Sequence, residues 1–432
     1  MTISTAIDPS RKARAVGVLA QYQDFSGGSV KALQPRFAVL GQGNTASTFS
    51  AAKRTLTNGA AEAAEIYGFG SPIHLAVREL LPPSGDGVGA NPVTVYPLAD
   101  GTTASAGDIT PSGSATKVGT YRVIMGGIKS VPFSIPVGAS VADMCTLIDA
   151  ACAATLDLPM GSTDSTTTVD LVAKWKGTSG DHIVVSVDGP TDAGVSFAFT
   201  QPTSGAANPT VGTPLANMGE VWETHVVNCL EYTDTTALTA LETHGEARWG
   251  AEVDKPYTAF VGSVETTAAT LISAGDARRT KRVNVIVAAP GSDDLPWRIA
   301  AKAAARAGTL FGLNPPTDYA GLELTGITPG LDSEQFSAST RDQLVKAGIS
   351  TLEVVDSVYV MSDTVTTYHP SGDANPAFAY VVDIAKLQSR CVTEGDVDTA
   401  RGDGIREIIR QGRQINIIDR LEIGSSGHDD CR

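Results

Sequence analysis

The chain of 432 residues is short of aromatics, at 6%, and shorter still of the residue patterns that carry chemistry. Its five cysteines, Cys145, Cys152, Cys229, Cys391 and Cys431, include no C-x-x-C pair. The odd number argues against a disulfide framework, and reduced, mostly buried thiols are expected. None of the six histidines falls in an H-x-x-x-H or H-E-x-x-H pattern or pairs with a cysteine at zinc spacing. No G-x-S-x-G elbow and no G-x-x-x-x-G-K-[ST] loop occurs, and the scattered Asp and Glu suggest no acid–base pair. No cofactor or metal is expected. Basic residues are outnumbered, 32 against 47 acidic, for a net charge of −15. A whole-chain affinity for nucleic acid is therefore not expected, because phosphate binding needs a basic surface. No apolar run reaches signal-peptide or membrane-spanning length, so the expectation is a protein made in the cytoplasm without membrane insertion.

What is present is 42% hydrophobic residues, with abundant Gly, Ala, Ser and Thr. That composition fits a packed protein of two to four domains with many short strands and turns. Residues 37–41 form a short apolar run of the kind that makes a buried strand. Helices are expected over 47–59 and 71–81, the second ended by Pro82-Pro83. From about 91 to 209 the chain turns rich in Thr, Ser and Gly. Strands are expected there at 120–125 and 128–135 around Gly126-Gly127, and at 167–175, 181–187 and 195–201, with a helix over 141–152. From about 220 a βαβα alternation appears: strand 257–264, helix 267–274, strand 282–289 and helix 297–310, with Pro296 at the first helical turn. A helix over 340–347 and a hairpin of 352–355 with 358–361 follow, then helix 399–411.

The fold class that results is α/β and α+β multidomain, a partly parallel α/β core with an inserted mainly-β outer domain and extended terminal strands. The expected divisions are an N-terminal arm 1–34, core 35–90, insert 91–210, core 211–335, a C-terminal domain 336–413 and a C-terminal arm 414–432. Each arm holds a strand with no local partner. Val16, Val18, Ala20 and Tyr22 share one face at the front, and Ile415, Ile417, Leu421 and Ile423 alternate with polar residues at the back. An unpaired strand is a template for another chain, which points to polymerisation through the ends.

Two further features compete for function. The strand at 37–41 runs into Gly41-x-Gly43-x-x-Ala46, which resembles a dinucleotide fingerprint, with Glu62 and Glu65 at about the spacing of its acidic residue. Those glutamates lie in a loop or helix pattern rather than at a strand end, and a tight strand-to-helix turn accounts for the glycines equally. Arg406, Arg410 and Arg413 recur at i, i+4 and i+7 and line one helical face. They read either as a docking stripe for an acidic protein surface or as an ordinary solvated face.

Four stretches carry a family likeness. Residues 364–387, with Thr366-Thr367-Tyr368 and then Tyr380-x-x-Asp383 and Leu387, resemble the C-terminal region of Mu-like phage tail sheath proteins. Residues 340–352 resemble that family's R-x-x-L-x-x-x-G-I-S-T-L segment, Gly68 to Ser71 its G-x-G-S motif, and residues 173–183 its K-G-x-x-G-N-x-I segment. Asp181 stands here for the usual Asn, and Ser339-Thr340-Arg341-Asp342 where the family often has E-R-N. The matches are collinear from about 15 to 420. The resemblance implies a contractile tail sheath subunit of a virion tail. It implies hexameric rings stacked around a tail tube, arms paired with neighbouring subunits, a tube-facing C-terminal domain and an outward insert. Contraction would drive the tube through the host envelope for genome delivery, with tube, baseplate and tail terminator proteins as partners and assembly in the host cytoplasm. Arg406, Arg410 and Arg413 become candidate tube contacts. A sheath of a related contractile injection particle or bacteriocin fits the same motifs, and a nucleotide-binding α/β enzyme is the reading from another class.

Overall fold

The computed structural model describes residues 34–83, 87–248, 253, 255–310 and 319–369. The chain opens with strand β1 (Phe37–Gln42), a two-residue strand β2 (Arg54–Thr55), helices α1 (Gly59–Tyr67) and α2 (Pro72–Leu80), and strand β3 (Val93–Leu98). Every residue of β1 and β3 is buried, as interior parallel strands covered on both faces require. Helix α2 starts where the sequence signals it: the Ser71 hydroxyl accepts from the His74 N–H at 3.2 Å, and Pro72 occupies the first turn.

The helix expected over 47–59 is not there. Residues 47–50 are irregular, Arg54 and Thr55 pair antiparallel with β3, and helix begins only at Gly59. The Glu62 carboxylate explains the late start. It accepts from the backbone N–H groups of Thr57 (2.7 Å) and Asn58 (2.9 Å) and from Arg54 (2.7 Å), satisfying donors at the helix entry. Burial alone would raise this carboxyl; the Asn58 and Thr57 amides and Arg54 hold it down to about 2.

An insert then leaves the sheet: β4 (Ala106–Gly113), β5 (Gly119–Met125), β6 (Ile128–Lys129), β7 (Phe133–Ile135), α3 (Val141–Ala153), β8 (Met160–Asp164), β9 (Val169–Ala173), a 3₁₀ turn (Thr178–His182), β10 (Val185–Asp188) and β11 (Val195–Thr203). Its strands form two antiparallel sheets, one of order β10-β5-β6 with β7 also on β5, the other β11-β4-β9-β8. The insert departs after Leu98, not at 91, because β3 pairs with β1 in unbroken register from Phe37↔Val93 to Gln42↔Leu98.

The main fold resumes with α4 (Gly212–Ala216), β12 (His225–Asn228), α5 (Thr235–Arg248), β13 (Thr258–Ser263), α6 (Ala268–Asp276), β14 (Asn284–Ala288), α7 (Pro296–Leu310), a 3₁₀ turn (Asp332–Glu334), α8 (Ala338–Lys346), β15 (Ile349–Val355) and β16 (Val358–Asp363). Among the described residues the main sheet runs β16-β15-β14-β13-β12-β1-β3-β2. Its strands from β15 to β3 are parallel, with β16 and β2 antiparallel at the borders. A domain boundary at 336 does not fit, because β15 continues the parallel sheet on β14 through Ile286↔Ile349. The outer border of β16 is itself occupied: Gly321 and Leu324 donate to the Met361 and Tyr359 carbonyls, and Met361 donates to Leu322.

Helices α4, α5, α6 and α8 cover one face of this sheet through Leu215, Leu238, Leu271 and Leu344. Helices α1, α2 and α7 cover the other, and their apolar cluster continues into the insert through Met144, Trp175 and Ile183. Core and insert therefore share one hydrophobic interior.

Candidate functional site

In an open parallel sheet, ligands favour the carboxyl ends of strands where the strand order reverses. That point here lies beside β1, with β3 on one side and β12 on the other. The Gly41–Gly43 turn sits there, and no helix follows it to offer a pyrophosphate its N-terminus. A Cβ on Gly41 would come within 2.9 Å of the Cys229 Sγ, and one on Gly43 within 2.3 Å of the Phe49 ring. The amides beyond are spent, Asn44 donating to the Tyr67 carbonyl (2.7 Å) and Thr45 to that of Lys174 (2.8 Å). Glu62 caps α1 and Glu65 is exposed on it. The glycines serve close packing, and the nucleotide-site reading is set aside.

What occupies the crevice is the insert. Glu231, just beyond β12, accepts hydrogen bonds from the Thr178 hydroxyl and Asn208 Nδ2 and is bonded to the His182 Nε2. Asn208 also binds Asp234 at 2.9 Å and receives the Thr178 amide at 2.9 Å. Burial pushes the Glu231 carboxyl up, but the bonds from His182, Thr178 and Asn208 prevail and hold it below its ordinary value. Beside this, Gln42 donates to the Lys176 carbonyl at 2.6 Å and to Asp100 at 3.1 Å.

A second clamp lies on the α2–α7 face. Arg298 donates to Glu79 (2.7 and 2.9 Å), pairs with Asp294, and reaches the Gly126 carbonyl at the tip of the β5–β6 hairpin (3.4 Å). Asp294 in turn accepts from the Thr328 amide at 2.6 Å. Gly126 and Gly127 both have positive φ, 55° and 74°, as the hairpin signal predicts. A Cβ on Gly127 would lie 2.0 Å from Asp294, so no other residue lets the hairpin dock here. Trp175 of the insert packs edge-on against Trp297 of α7, centroids 5.4 Å apart. The site's chemistry is anchorage: two polar clamps and an aromatic contact make core and insert one body.

The residues singled out for assembly, Val16, Val18, Ala20, Tyr22, Ile415, Ile417, Leu421, Ile423, Arg406, Arg410 and Arg413, lie outside the described residues, as does the helix expected over 399–411. Cys145, Cys152 and Cys229 are free and buried, as expected; burial raises each thiol, that of Cys152 to about 12. Among the described residues no group of three His, Cys, Asp or Glu could hold a metal ion, and no helix is long and apolar enough to cross a membrane. The clamp residues were not found from sequence. Arg298 and Asp294 show only an i, i+4 acid–base spacing, common on solvated helices.

The α/β body carries its insert clamped across the crevice at the carboxyl ends of its strands, and the sequence relationship is to a phage tail sheath protein. The chain is 23% identical over 290 residues to the Mu-like prophage FluMu tail sheath protein of Haemophilus influenzae, an alignment covering 66% of this chain and 58% of that protein. The chain thus spans under two thirds of that relative's length. No family model matches. Among solved structures, the sheath tail protein of Listeria innocua aligns with TM-score 0.43 and 13% identity, covering 89% of this chain and 80% of that one. The contracted helical sheath of the anti-feeding prophage gives 0.43 and 12%, covering 95% and 84%.

Proposed function

We propose that the chain is the subunit of a contractile tail sheath, polymerising with copies of itself around a tail tube. The observation that carries this reading is the 290-residue relationship to a Mu-like prophage tail sheath protein. The two clamps support it from physics: a subunit that must move within a lattice and stay intact needs its parts joined by more than a linker. On this reading the subunits stack as hexameric rings. The strands at 16–22 and 415–423 pair with neighbours, so that links persist while the bodies rotate. Residues Arg406, Arg410 and Arg413 contact the tube, and the insert faces outward. Baseplate and tail terminator proteins bound the lattice, and contraction drives the tube through the host envelope, with no nucleic acid bound directly.

Negative-stain microscopy of the purified protein tests the class, since long hollow cylinders are expected. Deleting residues 1–24 or 414–432 leaves a soluble, folded monomer that forms no cylinders. Normal cylinders from either truncation would overturn the arm-exchange reading. Charge reversal at Arg406, Arg410 and Arg413 weakens co-assembly with the tube protein in a pull-down, and unchanged recovery would sink the tube contact.

A further inference from the structure

Helices α2, α3 and α8 each open on a serine whose hydroxyl accepts the N–H three residues on. Ser71 accepts from His74, Ser140 from Asp143 and Ser337 from Thr340, each at 3.2 Å. Helix α1 opens differently. Its capping position holds Asn58, which is exposed and whose side chain makes no capping hydrogen bond. The capping falls to Glu62, from inside the helix. Its carboxylate accepts from the amides of Thr57 (2.7 Å) and Asn58 (2.9 Å) and from the Thr57 hydroxyl (3.1 Å). Arg54 holds the same carboxylate through two nitrogens, at 2.7 and 2.9 Å. The next amide, that of Gly59, lies in the first turn, where the helix itself offers no carbonyl to receive it.

Asn58–Gly59 is the single Asn-Gly step of the sequence. Asparagine is among the thermally labile side chains, and a following glycine makes it more so, because no Cβ hinders the approach of the next backbone nitrogen. The Gly59 nitrogen attacks Cγ of Asn58 and gives up its proton. A cyclic imide closes, and the side-chain nitrogen leaves as ammonia. Water then adds to either imide carbonyl and one C–N bond breaks, which leaves aspartate or isoaspartate at position 58. The fold sets the rate through one torsion. At Asn58 ψ is 21°, which turns the Gly59 nitrogen away from the Asn58 side chain. The ring therefore closes only after the entry to α1 has opened. Glu62 resists that opening, because it belongs to the helix and grips the two residues before Gly59.

We propose that Asn58 is a site of spontaneous deamidation and that Glu62 gates it. The product carries a new carboxylate between β2 and α1. In the isoaspartyl form the backbone there is also longer by a methylene, which takes the Thr57 and Asn58 amides out of step with Glu62. This is a covalent ageing of the single subunit and does not depend on the sheath reading.

Peptide mapping of the full-length chain tests it. The tryptic peptide Thr55–Arg78 holds Asn58 as its single amide side chain. During incubation in mildly alkaline buffer it gains the mass that exchange of an amino group for a hydroxyl gives. The gain is about tenfold faster in Glu62→Ala, the order of effect of a lost helix cap, and faster again in wild-type chain unfolded in urea. Asn58→Ser shows no gain in this peptide. If circular dichroism shows Glu62→Ala unfolded, Arg54→Ala takes its place, since that side chain is 55% exposed at the outer end of the same grip. Equal rates in the folded variant and the wild type, or equal rates in folded and urea-unfolded wild type, overturn the gate. No mass gain at position 58 in the folded variant overturns the site.

Discussion

Arg298 is 6% exposed and faces two carboxylates, those of Glu79 and Asp294, across three segments of chain. Burial raises the Asp294 carboxyl, with Arg298 opposing, so the cluster depends on the guanidinium for its charge balance. Replacing it with an apolar side chain leaves two buried acids facing each other. Arg298→Met therefore costs about 3–5 kcal/mol in urea unfolding, and Glu79→Gln in the same chain restores part of it. A loss no larger than an exposed ion pair gives, below about 1 kcal/mol, would show that the cluster does not hold the insert. His74 takes up its proton at a lower pH than a surface histidine does. Its ring is buried and its Nδ1 accepts from the Gly70 amide at 3.1 Å; burial, aided by Arg78 and Lys174 and opposed by Asp157, pulls it down to about 4. The unfolded chain takes up the proton near pH 6.5 while the folded chain does not, so stability is full above that value and falls with acidification towards pH 4. Between pH 7 and 5 the loss is about 2 kcal/mol from this group. His74→Gln removes that share, and an identical pH dependence of its urea midpoint would refute the assignment.

At the scale of elements, Asp108 of β4 stands directly opposite Asp170 of β9 in the insert's β11-β4-β9-β8 sheet. Like charges in facing positions destabilise a strand pair, so Asp108→Asn raises stability by about 0.2–1 kcal/mol, visible as a higher melting temperature. An unchanged or lowered melting temperature counts against a repulsive pair. Strands such as β1, β5, β13 and β14 were legible because apolar runs of strand length stood between turn residues. So were α2, α3, α7 and α8, by caps and periodicity. Strand β12 was not, since its four residues include His225 and Asn228, whose burial comes from Phe37, Phe260 and other partners distant in sequence. Helix α5 carries four threonines among fourteen residues and shows no clear apolar stripe. The helix start at Gly59 hinged on Glu62 reaching back to Thr57 and Asn58, a contact from outside the stretch that composition over 47–59 does not reveal. The clamps were invisible for a related reason: Glu79 and Arg298 are 219 positions apart.

Taken whole, the molecule is a doubly covered parallel sheet whose ligand crevice has been given over to an internal joint. Alternation along β1 sends Phe37 and Val39 to the cluster shared with the insert and Ala38 and Leu40 to the other. Removing the insert would expose apolar side chains of the α2–α7 layer that it packs against, Trp297 among them, so the insert is part of the interior rather than an appendage. A chain lacking residues 99–207 is therefore expected to be insoluble or molten, seen as loss of near-ultraviolet circular dichroism. A soluble, native-like core would refute this.

The backbone of Gly321, Leu322 and Leu324 that borders β16 has a consequence for storage. Exposed strand borders let native subunits add to one another indefinitely and precipitate. Here this segment lies along one end of the main sheet, and at the other end β2 pairs with Thr94 and Val95 of β3. Among the described residues, the border along β16 is therefore less open to the strand-by-strand addition that seeds fibres when a protein is concentrated.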